Sequence, residues 1–279
     1  MAIDPGKEGC HIPLKIFRQL GSRCRGAVDW LLLNGFPALG QRCPVCGVLS
    51  RAAAMDCDSG GGGKPEVVPD GPQICTACLA DLAQRTGGYC PRCALVFGAS
   101  TDPATLCLQC RISPPPWENT YFYGPYEGRL KSLVLRFKFQ AQLGLGEVLH
   151  ALLHQALARG PAADHDLVVP VPLHPRRLRH RGFNQSLELA RGVSGEDSRL
   201  LESNAVTRVR DTPAQHTLPR DKRLHNLADA FLADPAYVQG RSVLLVDDIL
   251  TTGATVHAAS QALLQAGVTR VSLLVLARA

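Results

Sequence analysis

Residues 243–255 read Val243-Leu244-Leu245-Val246-Asp247-Asp248-Ile249-Leu250-Thr251-Thr252-Gly253-Ala254-Thr255. The apolar run predicts a strand over Ser242–Val246, buried on both faces as in the middle of a parallel sheet. It stops at two adjacent carboxylates, Asp247 and Asp248. In a parallel sheet that position is the carboxyl edge, where ligands bind. Thr251, Thr252, Gly253, Ala254 and Thr255 then open a helix expected over Thr255–Ala266. Small and hydroxyl side chains there let unpaired backbone N–H groups converge on an anion, and the helix N-terminus favours negative charge. Acceptors for sugar hydroxyls thus stand beside donors for a phosphate, and a ribose 5-phosphate satisfies both. Each half alone says little. Strand-end acidic pairs also occur in phosphorelay receivers and Mg sites, and a Thr/Gly helix start is often only a cap.

Working outward, Gly267 stands where a helix C-terminal cap is expected, ahead of a strand over Arg270–Leu276. Upstream, strands are predicted at Thr120–Tyr123, Asp166–Val171 and Ala205–Val209. Helices are predicted at Gly128–Lys138, Leu145–Arg159 and Asn184–Arg191. Apolar strands alternating with helices predict an α/β fold, a parallel sheet flanked by helices.

Two basic stretches bear on an anionic ligand. Asp166–Val171 leads into Arg176-Arg177-Leu178-Arg179-His180-Arg181. Guanidinium forks suit phosphate oxygens. A charge run is ordinarily a solvated face, but placed after a strand of an α/β sheet this one makes Arg176, Arg177, Arg179 and Arg181 candidates for a pyrophosphate. The polar stretch 207–226 offers Arg208, Gln215 and Arg223 as further candidates, against a solvated surface loop. Lys131, Arg136 and Lys138 fall near one face of a basic amphipathic helix and are expected to be solvated, with nucleic-acid contact as the alternative.

The first part of the chain is different. All eleven cysteines lie between residues 10 and 110. Eight form the pairs Cys43/Cys46, Cys75/Cys78, Cys90/Cys93 and Cys107/Cys110, each with two residues between. Such a turn puts two thiolates on one side of a knuckle, and two knuckles complete a tetrahedral zinc site. Four knuckles in a loop-rich segment with little apolar material predict metal rather than a redox dithiol, in one or two structural sites with the pairing open. Cys10, Cys24 and Cys57 have no partner at ligand spacing. The division expected is an N-terminal extension over 1–42, a zinc-binding domain over 43–117 and an α/β domain over 118–279. The glycine run at 60–63 is a flexible loop, not a phosphate-binding one, because Lys64 is followed by Pro65.

Composition narrows the classes. The chain has 279 residues, 46% hydrophobic, 5% aromatic, with a formal net charge of +6. That mild excess suits anionic ligands without marking a nucleic-acid tail. No apolar run reaches ~18 residues, so no membrane span is expected. Absence of a secretory signal points to the cytoplasm, where paired cysteines bind metal more often than they form disulfides. No nucleophile elbow or metalloprotease helix is present.

The order of acidic pair and Thr/Gly helix start resembles the signature of type I phosphoribosyltransferases. With the four cysteine pairs, Pro114-Pro115-Pro116-Trp117, the stretch Leu130–Phe139 and residues 179–185, the chain from 43 to 279 resembles the ComF family of competence-associated proteins. The resemblance implies a type I phosphoribosyltransferase fold behind a small cysteine-rich zinc-binding domain. It implies that Asp247 and Asp248 hold the ribose 2′- and 3′-hydroxyls of 5-phosphoribosyl-1-pyrophosphate (PRPP), partly through Mg, while Thr251 to Thr255 cradle the 5′-phosphate. It also implies service in DNA uptake or utilisation. Three readings follow: phosphoribosyl transfer to an unidentified acceptor, handling of single-stranded DNA with the uptake machinery, or sensing of PRPP without catalysis.

Overall fold

The computed structural model describes residues 41–50, 72–161, 164–195, 200–211 and 229–279. They fall into two units, one drawn from 1–42 and 48–61, the other from 43–47 and 62–279. In the first unit, β1 (Gln41–Arg42) pairs antiparallel with β2 (Leu49–Ser50). All that follows concerns the second. The glycine loop, Cys10, Cys24, Cys57, Gln215 and Arg223 lie outside the described residues.

The second unit opens with short helices α1 (Thr76–Asp81) and α2 (Leu108–Ile112) beside the cysteine pairs. Then come β3 (Thr120–Pro125), α3 (Gly128–Gln140), α4 (Gly146–Arg159) and β4 (Leu167–Pro170). They are followed by α5 (Pro175–Arg181), α6 (Gln185–Ser194), β5 (Val206–Arg208) and β6 (Phe231–Ala233). The chain ends through α7 (Pro235–Val238), β7 (Ser242–Leu250), α8 (Ala254–Gln265) and β8 (Arg270–Arg278).

Strands β3, β8, β7 and β4 form a parallel sheet in that order, with β5 and β6 as a small antiparallel pair. Alternation sorts the side chains into two cores. Val243, Leu245, Leu273 and Val275 join Val256 and Leu263 of α8 and Val206 and Phe231 of the small sheet. Leu244, Val246, Leu274 and Leu276 join Leu133 and Phe137 of α3, Leu149 and Leu153 of α4, and Leu189 of α6. Each fully buried leucine contributes about 1.5–3 kcal/mol of transfer free energy, so a charge introduced into either face of β7 would be severe. The parallel sheet covered on both faces is the expected α/β architecture.

One expectation is corrected. The strand read as ending at Val246 continues to Leu250, because β8 pairs it throughout, Asp247 with Val275 and Leu250 with Arg278. On the other side β4 stops early: Pro170 is level with Val246, and Val171 N–H closes the ladder on Val246 O at 2.9 Å. The acidic pair therefore sits inside a strand that has lost one neighbour, which opens the space beside it. The basic run 176–181, for which the sequence predicts no element, is a helix. Pro175 presets its first turn, the His174 ring accepts from Arg176 N–H, and Gly182, at φ +85°, ends it.

Candidate functional site

Asp247 and Asp248 are 9% and 3% exposed. Ser186 Oγ donates to Asp247 Oδ1 at 2.8 Å, and Asp248 N–H donates to the same oxygen at 2.9 Å. Lys138 Nζ lies 2.7 Å from Asp248 Oδ2 as an ion pair, though not aligned as a hydrogen bond. Burial, then the neighbouring Asp248 charge, push the Asp247 carboxyl up to about 7; Lys138 and Ser186 oppose this. Only Lys138 is in direct contact with the two crowded carboxylates, and their remaining lone pairs can accept hydroxyl protons or take part in holding a cation.

The chain then turns into α8 through Gly253 at φ +81°, a left-handed conformation that L side chains rarely adopt. A Cβ there would also meet Trp117 Cη2 at 3.4 Å. Thr252 Oγ1 accepts from Ala254 N–H at 3.4 Å, while Thr251 is exposed. Arg278 Nη1 fastens the opening of this loop by donating to Leu250 O at 3.0 Å and Thr251 O at 2.6 Å.

One cavity of about 830 Å³ joins these parts. Asp247, Asp248, Thr251 and Thr255 line one side; Arg176, Arg177, Arg181 and Arg208 bring cations, with Lys138 among them. Its size falls in the range of ordinary ligand sites, ~300–1,000 Å³. Burial, then Arg177, draw Arg208 down to about 10 against the pull of Asp211 and Asp247, and its guanidinium sits 5.4 Å over the Phe231 ring. Burial also holds Arg181 below its usual value, opposed by Asp248.

The cysteines gather in two clusters, Cys43/Cys46/Cys75/Cys78 and Cys90/Cys93/Cys107/Cys110, with all ligand atoms of each within 4.8 Å. This answers the question of pairing: first knuckle with second, third with fourth. Cys46 Sγ to Cys75 Sγ and Cys93 Sγ to Cys107 Sγ are both 3.8 Å. Thiolates around one zinc at ~2.3 Å stand ~3.8 Å apart in a tetrahedron, whereas a disulfide needs ~2.05 Å. The donor sets therefore fit a tetrahedral metal ion. Burial pushes the Cys43 and Cys90 thiols up, but backbone N–H groups, led by Cys75 for Cys43 and by Cys107 for Cys90, outweigh it and bring them to about 6 and about 7. Burial and neighbouring thiols push Cys78 and Cys110 the other way. All four thiols of a cluster ionise together only beside a cation.

Residues 185–279 match the family described as Phosphoribosyl transferase domain. The chain is 37% identical over 211 residues to the "DNA utilization protein YhgH" of Escherichia coli (strain K12), covering 74% of this chain and 90% of that protein. It is 32% identical over 217 residues to "Competence protein F" of Haemophilus influenzae, with the same shares covered. This chain belongs to the ComF family. "Competence protein ComFC" of Bacillus subtilis (strain 168) is 26% identical over 216 residues, 70% of this chain and 79% of that one. The ComF-family chain thus has a phosphoribosyltransferase-like fold, a parallel sheet with flanking helices preceded by two four-cysteine clusters. Among the described residues no helix is long and apolar enough to cross a membrane.

Of the arginines singled out in this ComF-family sequence, Arg179 is exposed and does not line the cavity. On a helix it points elsewhere than Arg176, Arg177 and Arg181. Lys138 and Arg136, expected to be solvated, are not: Lys138 pairs with Asp248, and Arg136 Nη1 donates to Val45 O at 2.6 Å in the first knuckle. Helical periodicity places residues on a face but does not say what that face meets. Ser186, Gln185, His180, Asp211 and Phe139 line the cavity as well. His180, Gln185, Asp211 and Phe139 fall in stretches already singled out in the sequence, whereas Ser186 does not; its local mark is its place as second residue of a helix capped by Asn184, whose Oδ1 accepts its N–H at 3.1 Å.

Proposed function

We propose that this protein binds PRPP and transfers its phosphoribosyl group, with inversion at C1, to an unidentified acceptor. The observation that carries the reading is a cavity joining the buried acidic pair and Thr251 and Thr255 of the helix start to Arg176, Arg177, Arg181 and Arg208. Asp247 and Asp248 would accept the ribose hydroxyl protons. The loop from Thr251 to Thr255 would donate to the 5′-phosphate, and the guanidinium groups would take the pyrophosphate. An acceptor lone pair forms the new bond to C1 as the C1–oxygen bond breaks. Pyrophosphate leaves with that electron pair, and the acceptor loses a proton. Positive charge growing on the ribose is stabilised by the two carboxylates in a partly dry site. The carboxylate oxygens are hard donors that fit Mg, which would supply neutralisation of the pyrophosphate charge. The cysteine clusters would hold zinc as closed structural sites, since four thiolates leave no position for substrate.

The names of the relatives favour a role in DNA utilisation or competence; the cytoplasm is proposed for it from the paired cysteines of the sequence. The exposed Arg179 on a basic helix offers a place for single-stranded phosphates outside the ribose site. The division at residue 117 separates the metal module from the transferase-like part in this reading.

The experiment is calorimetric titration of zinc-loaded protein with PRPP and Mg. Saturable binding, lowered at least about 100-fold in Asp247→Asn with Asp248→Asn, supports the site, two hydrogen-bonded charged groups being worth about 3 kcal/mol or more. Absence of binding by the zinc-loaded wild type sinks the PRPP reading. PRPP bound without pyrophosphate release across a panel of acceptors, single-stranded DNA included, would favour a sensor.

A further inference from the structure

We propose that Arg278 is a positioning residue through which metal at Cys90, Cys93, Cys107 and Cys110 holds the loop 250–253 in its binding shape. The ligand half of this inference rests on the reading of that loop as a phosphate cradle. Arg278 ends β8, and its guanidinium spans two places. Nε donates to Cys93 O at 3.1 Å, the carbonyl of a cluster ligand, while Nη1 donates to Leu250 O and Thr251 O. A lysine offers one ammonium where the fork has several donors in fixed directions.

The knuckle is gripped at three successive carbonyls. Pro91 O accepts from Thr120 N–H at 2.9 Å, Arg92 O from Trp117 Nε1 at 2.6 Å and from Thr120 Oγ1 at 2.7 Å, and Cys93 O from Arg278. Arg92 Nε returns a bond to Trp117 O at 3.0 Å. Trp117 is 4% exposed and stands against Gly253, so the second link also reaches the loop. A C-x2-C knuckle keeps its turn when both thiolates share a metal and loses that closure otherwise. Loss of metal would move the carbonyls that Arg278 and Trp117 hold, and with them Leu250, Thr251 and Gly253. The first cluster is wired elsewhere among the bonds described: its knuckle carbonyls Pro44 O and Val45 O accept from Arg136 on α3, the helix whose Lys138 pairs with Asp248 and not with the loop 250–253.

Coupling between two sites is reciprocal, so ligand and metal must strengthen each other by one factor, typically about 5–150-fold. We would measure hydrogen exchange of the segment 249–256, PRPP affinity in the presence of Mg, and the rate of zinc release to a chelator with and without PRPP. The proteins would be wild type, Arg278→Ala, Arg278→Lys, Cys107→Ser and, as the control for the first cluster, Cys46→Ser. Arg278→Ala should keep two zinc ions, yet exchange about tenfold faster over 250–253 and bind PRPP about tenfold more weakly. Cys107→Ser should do the same, whereas Cys46→Ser should leave exchange over 250–253 unchanged. PRPP should slow zinc release from the second cluster in wild type and lose that effect in Arg278→Ala, a result that a purely structural role would not produce. Arg278→Lys should fall between, and serves alone if the alanine variant does not fold. Wild-type exchange over 250–253 in a zinc-loaded Arg278 variant would overturn the coupling. Failure of wild type to bind PRPP, with exchange still faster in Arg278→Ala, would overturn the ligand half and the function proposed above instead.

Discussion

Lys138 Nζ stands 2.7 Å from Asp248 Oδ2, and the two side chains are 20% and 4% exposed. The lysine comes from the last turn of α3, the helix whose Arg136 holds the first cysteine knuckle, and the aspartate from β7 in the middle of the sheet. A buried charge keeps its place only when compensated. Removing the lysine alone therefore leaves Asp248 uncompensated, while removing both charges does not. Lys138→Met should destabilise the protein by about 3 kcal/mol, and the double change Lys138→Met with Asp248→Asn by clearly less than the sum of the single ones. Urea unfolding of the four proteins checks this. A cost near ~0.5 kcal/mol for Lys138→Met would class the pair with exposed salt bridges.

Asp247 gives a dependence on pH. Its folded carboxyl is raised from the ordinary 3.8 to about 7, by burial and by Asp248. Between those values the folded state binds the proton more tightly than the unfolded state, so stability contributed by this group is full below about pH 4 and is lost as pH rises toward 7. In ligand-free protein the unfolding free energy of wild type should fall relative to Asp247→Asn across that window and run parallel to it above. Comparing the two proteins cancels the titration of the cysteines. A difference that stays flat from pH 4 to 7 would show that Asp247 ionises normally.

The arginines are ranked by the cavity. Arg181→Ala removes a half-buried cation that lines it, and PRPP affinity should fall about 10–100-fold, the worth of a charged hydrogen bond. Arg179→Ala, on the exposed side of α5, should leave affinity within about twofold, since exposed charges away from a ligand are screened. Titration of both variants under the same conditions decides it, and equal losses would mean that α5 does not present its faces as described.

Metal content tests the pairing. Wild type should carry two zinc ions per chain by elemental analysis. Cys46→Ser and Cys93→Ser should each lose one, and the double variant both. Loss of both ions from either single variant would point to a shared site and against two separate clusters.

Gly253→Ala puts a Cβ on a residue at φ +81° with Trp117 Cη2 3.4 Å away. It should cost about 1–2 kcal/mol in stability through the left-handed backbone, with weaker PRPP binding as the loop shifts. A substitution silent in both thermal unfolding and titration would show that the loop tolerates another turn.

Much was legible in the residue order. Val243 to Val246 had to be a strand buried on both faces, because no solvent-facing polar residue interrupts it. Four C-x2-C pairs could be read as clustered metal-ligand candidates, because their spacing puts two thiols on one side of each turn. The acidic pair and the Thr/Gly helix start are local in sequence, so their shared edge could be read without knowing the rest. What stayed hidden depends on residues distant in the chain. The pairing of knuckles, Lys138 reaching Asp248 across 110 positions, Ser186 reaching Asp247 across 61, and Arg278 joining Cys93 to Thr251 all arise where separate elements meet. Propensity and periodicity act over a turn or a strand and say which face is apolar; which charged group ends beside a buried carboxylate is set by how helices dock on the sheet, and that is a property of packing alone.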